Sequence, residues 1–335
     1  MKNLDQQKKT SIGRPGQIYA DLLNDFMFKR IFGSEANKDV LIAFLNRMLP
    51  DMGIEDVTFI PTYHLGESSA DRQAVFDLSC QCKNGSTFIV EMQRARQRHF
   101  RERALFYTSY PIMEQGRLAR EQYESEKVEL QHKGLPVPEF KWDYHLSPVI
   151  MVSILNFSLD HSPNWPQHRY YSSYSLREET YGERMTNNLR YVFLELGRFR
   201  KEVCELSNAY DKWMYLFCHI QDMTERPEGF VEIEFERLFN LAKIANFTAE
   251  ELRTYHNSLN HMCDYANTID YAREEGLERG IEKGIERGRV EGRAEGRSDM
   301  ILKMYSKGMT LKDISSLLDI SESELKSIID TIDSK

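Results

Sequence analysis

The sequence predicts an α/β chain: a mixed sheet with helices on both faces, followed by a helical back half. Three observations predict it. The elements of the first half read α-β-β-β-α-β. An Asn84-Gly85 pair sits between two strand-like runs and signals a hairpin. The run 148–157 is nearly all apolar rather than alternating, as in a strand buried on both faces.

Residues 1–18 are polar, carry Gly13, Pro15 and Gly16, and read as a loose tail. A helical pattern spans 20–32, with Leu22, Phe26, Ile31 and Phe32 as apolar positions and Gly33 as its stop. A second helix covers 38–49 and ends at Pro50. Strands are expected over 57–65, 73–82 and 87–93, then a long helix over 97–115. A charged connection leads to the buried strand, and further strands are expected at 170–175 and 191–196. From residue 201 the chain reads as mostly helical.

A length of 335 residues allows about two domains, or one elaborated domain with an appendage. A hydrophobic fraction of 41% with 29% charged residues excludes global disorder. The net charge of −8 argues against nucleic acid only if it is spread evenly. It is not: residues 1–120 hold 17 Lys and Arg against 14 Asp and Glu, or +3, which leaves −11 for the remainder. The longest strongly apolar stretch, 149–157, is nine residues, where a membrane helix needs about 20. Lys2, Lys8 and Lys9 have no apolar core behind them, so no signal peptide is expected. Five cysteines, Cys80, Cys82, Cys204, Cys218 and Cys263, form no disulfide or zinc pattern. They read as buried free thiols of a cytoplasmic protein.

The hairpin carries the chemistry. A two-residue Asn84-Gly85 loop would put Asp77 and Glu91 on opposite faces. A three-residue Lys83-Asn84-Gly85 loop, with Gly85 left-handed, pairs Asp77 with Glu91 directly. Their β-carbons would then lie about 5 Å apart. Like charges at that distance destabilise a sheet unless a cation sits between them, and a hard divalent ion such as Mg²⁺ suits two carboxylates. Gln93 shares the face of Glu91. The same alternation is also that of a solvated strand face. Two features favour a site. Asp77 interrupts the apolar run 74–78, although Asp is disfavoured in strands. Glu91 closes the buried run Phe88-Ile89-Val90, the end at which α/β folds place their sites. Immediately beyond come Arg94, Arg96, Arg98, Arg101 and Arg103, a set of forks suited to phosphate oxygens or to a solvated helix face.

These residues resemble the PD-(D/E)XK nuclease superfamily, most closely its recombination-promoting nuclease and transposase branch. The blocks are Asp25-Phe26-Met27-Phe28-Lys29-Arg30-Ile31-Phe32-Gly33 with 41–46 behind it, then Asp77 with Glu91-Met92-Gln93, then Arg103 to Tyr107-Thr108-Ser109-Tyr110. The resemblance implies a restriction-endonuclease-like αβββαβ core over 19–225 and a metal-dependent DNA endonuclease that promotes recombination or mobility. It implies that Asp77, Glu91 and the carbonyl of Met92 bind Mg²⁺ or Mn²⁺, and that Asp77, Glu91, Gln93 and Asp25 form the catalytic set. Double-stranded DNA is the implied partner, with the five arginines on its phosphates and Tyr107 beside them. Gln93 stands where the superfamily has lysine, and Phe76 where it has proline. Glutamine orients a water but carries no charge, so Arg94 or Arg96 is the nearest candidate to compensate. The competing readings are a catalytically weak nuclease-fold binding module and a defence or toxin nuclease.

Beyond a helical extension over 226–270, glycines recur at 276, 280, 284, 288, 292 and 296. Residues 271–297 hold seven basic and seven acidic residues, and Glu275 with Arg279 and Arg287 with Glu291 are helix pairs. Each interior glycine costs about 1 kcal/mol against alanine. The segment therefore reads either as a helix pairing with a second copy through its glycine stripe, giving a homodimer, or as a partly helical tether. Residues 298–335 read as three short helices in a helix-turn-helix-like order, over 299–307, 311–318 and 322–332. With five lysines and seven acids, they suit a small assembly bundle better than a DNA reader.

Overall fold

The computed structural model describes residues 16–64 and 74–333. In chain order the first elements are α1 (Asp25–Phe32), α2 (Lys38–Met48), β1 (Thr58–Phe59), β2 (Tyr63–His64), β3 (Ala74–Val75), β4 (Leu78–Gln81) and β5 (Thr87–Gln93). Then come α3 (Phe100–His132), β6 (Val149–Leu155), β7 (Tyr171–Ser175), β8 (Leu189–Glu195), α4 (Ala209–His219), α5 (Ile233–Ala242), α6 (Ala249–Ser306), α7 (Leu311–Leu318) and α8 (Glu322–Asp333). Six strands form one mixed sheet in the order β1-β4-β5-β6-β8-β7, and β2 and β3 pair separately. The central three run parallel, and β1, β4 and β7 are antiparallel to their neighbours. This is the α/β architecture that the element order predicts.

β5 and β6 are buried along their whole length, as the apolar runs 88–90 and 149–152 require, and β5 carries Glu91 and Gln93 into that buried setting. Side chains alternate between the two faces. Ile89, Met151, Leu155 and Phe193 point to the face that α3 covers with Phe100, Ala104 and Tyr107. On the opposite face Leu78, the register partner of Val90, lies beside Gly33 at the end of α1. Phe32, Phe44, Trp213, Phe217 and Phe235 stack edge and face among α1, α2, α4 and α5.

Several boundaries differ from expectation, each for a local reason. The first helix begins at Asp25 rather than residue 20, because the Asn24 side chain accepts the Met27 N–H as an N-cap. Ahead of it Asp21 accepts the Leu23 N–H in a tight turn. The strand expected at 57–65 splits into β1 and β2 around Pro61, which has no N–H to donate; Leu65 lies outside the described residues. The strand expected at 73–82 splits at Phe76-Asp77, and Gln73 also lies outside them. The long helix starts at Phe100, after left-handed His99, and runs to His132. Its second half is the expected charged connection, made helical by pairs such as Arg117 with Glu114 and Glu121.

The chain divides into two compact units, the first ending at His261 and the second beginning at Met262. In the first unit the helices after residue 226 fold back on the start of the chain: Ala20 donates to the Ala242 carbonyl at 2.8 Å and Ile244 to the Ile18 carbonyl at 2.9 Å. Of the expected tail, residues 1–15 lie outside the described residues. In the second unit α6 is one helix through all six spaced glycines, and both expected ion pairs form, Arg279 with Glu275 and Arg287 with Glu291. The helix expected at 299–307 is the end of α6, which packs with α7 and α8 around Ile301, Ile314, Ile320, Leu325 and Ile329. Thr310 and Asp313 cap α7 reciprocally. The cysteines are free, but only Cys80 is buried; Cys204 is exposed and the others are half-buried, because scattered cysteines do not share a core face.

Candidate active site

The hairpin adopts the three-residue loop. Gly85 has φ +83°, its N–H bonds the Cys82 carbonyl at 2.9 Å, and the ladder pairs Gln81 with Thr87 and Leu78 with Val90. That register, continued by one step, sets Asp77 opposite Glu91.

At that point the strand breaks. Phe76 turns its N–H away from β5 to the Thr62 carbonyl at 2.6 Å. Met92, next in line to pair with Phe76, donates its N–H instead to the Asp77 carboxylate at 2.7 Å. The Asp77 N–H in turn goes to the Glu91 carboxylate at 3.1 Å. Each carboxylate therefore accepts a main-chain N–H from the other's segment of chain. Gln93 donates its amide to the second Glu91 oxygen at 2.9 Å. Glu91 is 1% exposed. N–H and C=O of one strand residue point the same way, so the Met92 carbonyl also lies on the Asp77 side.

Electrostatics follow from this burial. Loss of solvent, reinforced by the Asp77 charge, pushes the Glu91 carboxyl up to about 8. Asp77 is raised as well, chiefly by burial; the Met92 N–H opposes the rise, Asp25 adds to it, and Lys29 and Arg103 counter it. Asp25 itself is exposed and bonds Lys29 one turn on at 3.0 Å, so it stands at the rim. A buried and a half-buried carboxylate, interlocked through fixed N–H groups, form a site whose repulsion a divalent cation would relieve. Mg²⁺ fits: it takes one or two carboxylates and keeps water and phosphate oxygens for its other positions. Among the described residues no cluster of three His, Cys, Asp or Glu side chains forms.

The five arginines part company. Arg94 points away from the acids, onto the Asp21 carboxylate at 2.6 Å and the Leu23 carbonyl at 3.0 Å. Arg96 bonds the Asp160 carboxylate, and Arg101 the Asp160 carbonyl at 2.9 Å. Neither Arg94 nor Arg96 is thus in the compensating place beside Gln93, because each finds a partner distant in sequence. Arg98 is exposed. Arg103 bonds Gln97 and the Tyr107 hydroxyl, the latter at 2.7 Å, and its charge is felt at both acids.

A family model for PD-(D/E)XK nuclease family transposases matches residues 22–272. The chain belongs to this family. The matched span holds the acid pair, the basic run and Tyr107, and continues through the helices of 226–270. A nuclease-like or transposase-like function goes with that membership. No curated protein and no solved structure is similar enough to match. Among the described residues no helix is long and apolar enough to cross a membrane.

Two features escape a reading of the sequence. The charge of Lys29 acts on Asp77 from its pair with Asp25 at the rim, although the D-x-x-F-K block marks only its type; its spacing of four from Asp25 is the signal. At the end of β8, level with Gln93 across β6, buried Glu195 accepts from Leu159 N at 2.7 Å and Arg198 at 3.0 Å and meets His161 at 2.7 Å. The signal there is the one that marks Glu91: an acid closing an apolar strand.

Proposed function

We propose that this protein is a Mg²⁺-dependent endonuclease that hydrolyses phosphodiester bonds in double-stranded DNA in the service of DNA recombination or mobility. The observation that carries the reading is the reciprocal Asp77–Glu91 pair, half-buried and buried, interlocked through main-chain N–H groups, with the Glu91 carboxyl pushed up by burial and by the Asp77 charge. A cation held by Asp77, Glu91 and the Met92 carbonyl would polarise the scissile phosphate and lower the pKa of a bound water, and Mn²⁺ suits the same ligands. The protein's own part is positional. Met92 N–H fixes the Asp77 rotamer, and Asp77 N–H with the Gln93 amide fixes that of Glu91. Arg96, Arg98 and Arg101, exposed ahead of and on the first turn of α3, track the strand phosphates. Asp25 at the rim is a further acid of the set.

The test is plasmid cleavage by wild type and Asp77→Ala, with and without Mg²⁺. The reading expects metal-dependent nicking or cutting that Asp77→Ala abolishes. Equal cutting by the variant would assign the activity to another site or a contaminant. Salt-dependent DNA binding with no cleavage under Mg²⁺ or Mn²⁺ would make the chain a nuclease-fold binding module, the reading that neutral Gln93 favours.

A second copy of the chain belongs to the same proposal. In α6, Leu277, Ile281 and Ile285 are 63%, 53% and 66% exposed beside glycines that meet no heavy atom within 4 Å, a face that two helices could share. Sedimentation of the full chain tests it.

A further inference from the structure

The acids and a scissile phosphate together carry more negative charge than one divalent ion cancels. The residue at the strand position next to the acids, Gln93, is neutral, and its amide is already committed to Glu91. Positive charge for the reacting phosphate must come from elsewhere on the chain.

Arg103 is placed to supply it. Lys29, whose charge also acts on Asp77, is exposed and paired with Asp25; of the basic run, Arg94 is bound to Asp21, Arg96 and Arg101 reach Asp160, and Arg98 is exposed. Arg103 sits on the first turn of α3, half-buried, above the face that carries Glu91. Its guanidinium is fixed at two points, by Gln97 and by the Tyr107 hydroxyl at 2.7 Å, and its carbon lies 4.7 Å from the Tyr107 ring centre. Tyr107 is fixed in turn: it is 8% exposed, and its ring meets Phe76 edge-on at 5.2 Å. Phe76 is the residue before Asp77. A continuous packed path thus ties the guanidinium to the residue next to Asp77, and its charge acts on both acids. Two hydrogen bonds use two of its five donors, which leaves N–H groups for phosphate oxygens.

We propose that Arg103 is a catalytic residue, binding the non-bridging oxygens of the scissile phosphate as charge builds on them, with Tyr107 as its positioning residue. This rests on the endonuclease reading. In the reaction the oxygen of water bonds to phosphorus and the bond from phosphorus to one sugar oxygen breaks. One hydrogen of the water ends on the leaving sugar oxygen, and the other is released from the new terminal phosphate. Arg103 stays protonated throughout and moves no proton; its contribution is fixed charge, which is largest where water is excluded.

The experiment is steady-state cleavage of plasmid DNA in Mg²⁺ by the full chain, comparing wild type, Arg103→Gln, Arg103→Ala, Tyr107→Phe and Arg101→Gln. Arg103→Gln should lose about 10²–10³-fold in kcat with little change in KM, as for loss of one donor to a developing oxyanion. Arg101→Gln should raise KM instead, because a strand contact acts equally on ground and transition states. Tyr107→Phe should lower kcat about tenfold, since the fork loses one of its two anchors while keeping its charge. Guanidinium ion should restore part of the Arg103→Ala rate where the same concentration of NaCl does not, an effect that a merely structural role would not produce. Wild-type kcat in Arg103→Gln with only KM raised would make Arg103 another strand contact. Should Arg103→Gln fold poorly, absence of guanidinium rescue in Arg103→Ala overturns the proposal. Failure of the wild type to cut under Mg²⁺ or Mn²⁺ removes the endonuclease reading itself and this assignment with it.

Discussion

Replacing Glu91 with glutamine should stabilise the metal-free protein at alkaline pH and leave it no more stable in acid. The sign follows from linkage. The Glu91 carboxyl is raised in the fold, so from the unfolded value upward the unfolded chain ionises while the folded one holds its proton. Stability is present below the unfolded value and is lost as pH climbs from 4.5 to about 8. At 1.36 kcal/mol per pH unit, that interval from 4.5 to about 8 caps the loss at on the order of 5 kcal/mol. Glutamine removes this loss but sets its own amide nitrogen toward the Gln93 amide, giving back roughly one hydrogen bond, about 1–2 kcal/mol. A net gain of about 3 kcal/mol at pH 8.5 corresponds to roughly 5–10 °C in Tm for a chain of this size. The assay is thermal unfolding in EDTA at about pH 5 and 8.5, then with Mg²⁺ titrated in. The wild type should gain on the order of 3 kcal/mol at a hundredfold excess of Mg²⁺ over its Kd, and the variant much less. Equal destabilisation of Glu91→Gln at both pH values would refute the view that Glu91 is held against Asp77 at a cost that a cation relieves.

Arg94→Ala should cost about 2 kcal/mol of stability, because it leaves Asp21, only 6% exposed, without its guanidinium. The salt dependence of DNA binding should stay as in wild type for Arg94→Ala, whereas Arg96→Ala and Arg101→Ala should each flatten the slope by about one; calorimetry and binding titrations in NaCl separate the two outcomes. Gly85→Ala should lower the unfolding free energy by about 2 kcal/mol in a urea titration, since φ is +83° and a β-carbon would meet Ser147 Oγ at 2.6 Å. The triple change Gly280→Ala, Gly284→Ala, Gly288→Ala meets open space at every position and should favour the helix by about 1 kcal/mol per site, read as slower amide exchange through α6. The same triple change should weaken self-association in sedimentation, because β-carbons keep two helix backbones apart.

The buried strands were legible because burial on both faces leaves apolar runs, nearly unbroken over 148–157 and as Phe88-Ile89-Val90 in β5: β5 falls on 87–93 as read, and β6 within 148–157. The acid pair was legible too, since a carboxylate inside or closing such a run has no cheap place to go. Helical ion pairs and the Thr310–Asp313 cap depend on residues three or four apart, and the sequence alone determined them. The hairpin stood between two registers, because Asn-Gly suits both loop lengths; burial of Leu78 and Val90 on a common face decided for three residues. The break at Phe76-Asp77 was hidden, because it arises from a competing partner, Thr62, fourteen positions away. The roles of the arginines were the least legible. Guanidinium forks take the nearest acceptor in space, and for Arg94 and Arg96 those acceptors lie 73 and 64 residues away in the chain. Local propensity and hydrophobic period thus settled which residues are strands, helices and buried acids. Only the tertiary structure decided which charge faces the acids, because that choice depends on distances between segments that no local pattern encodes.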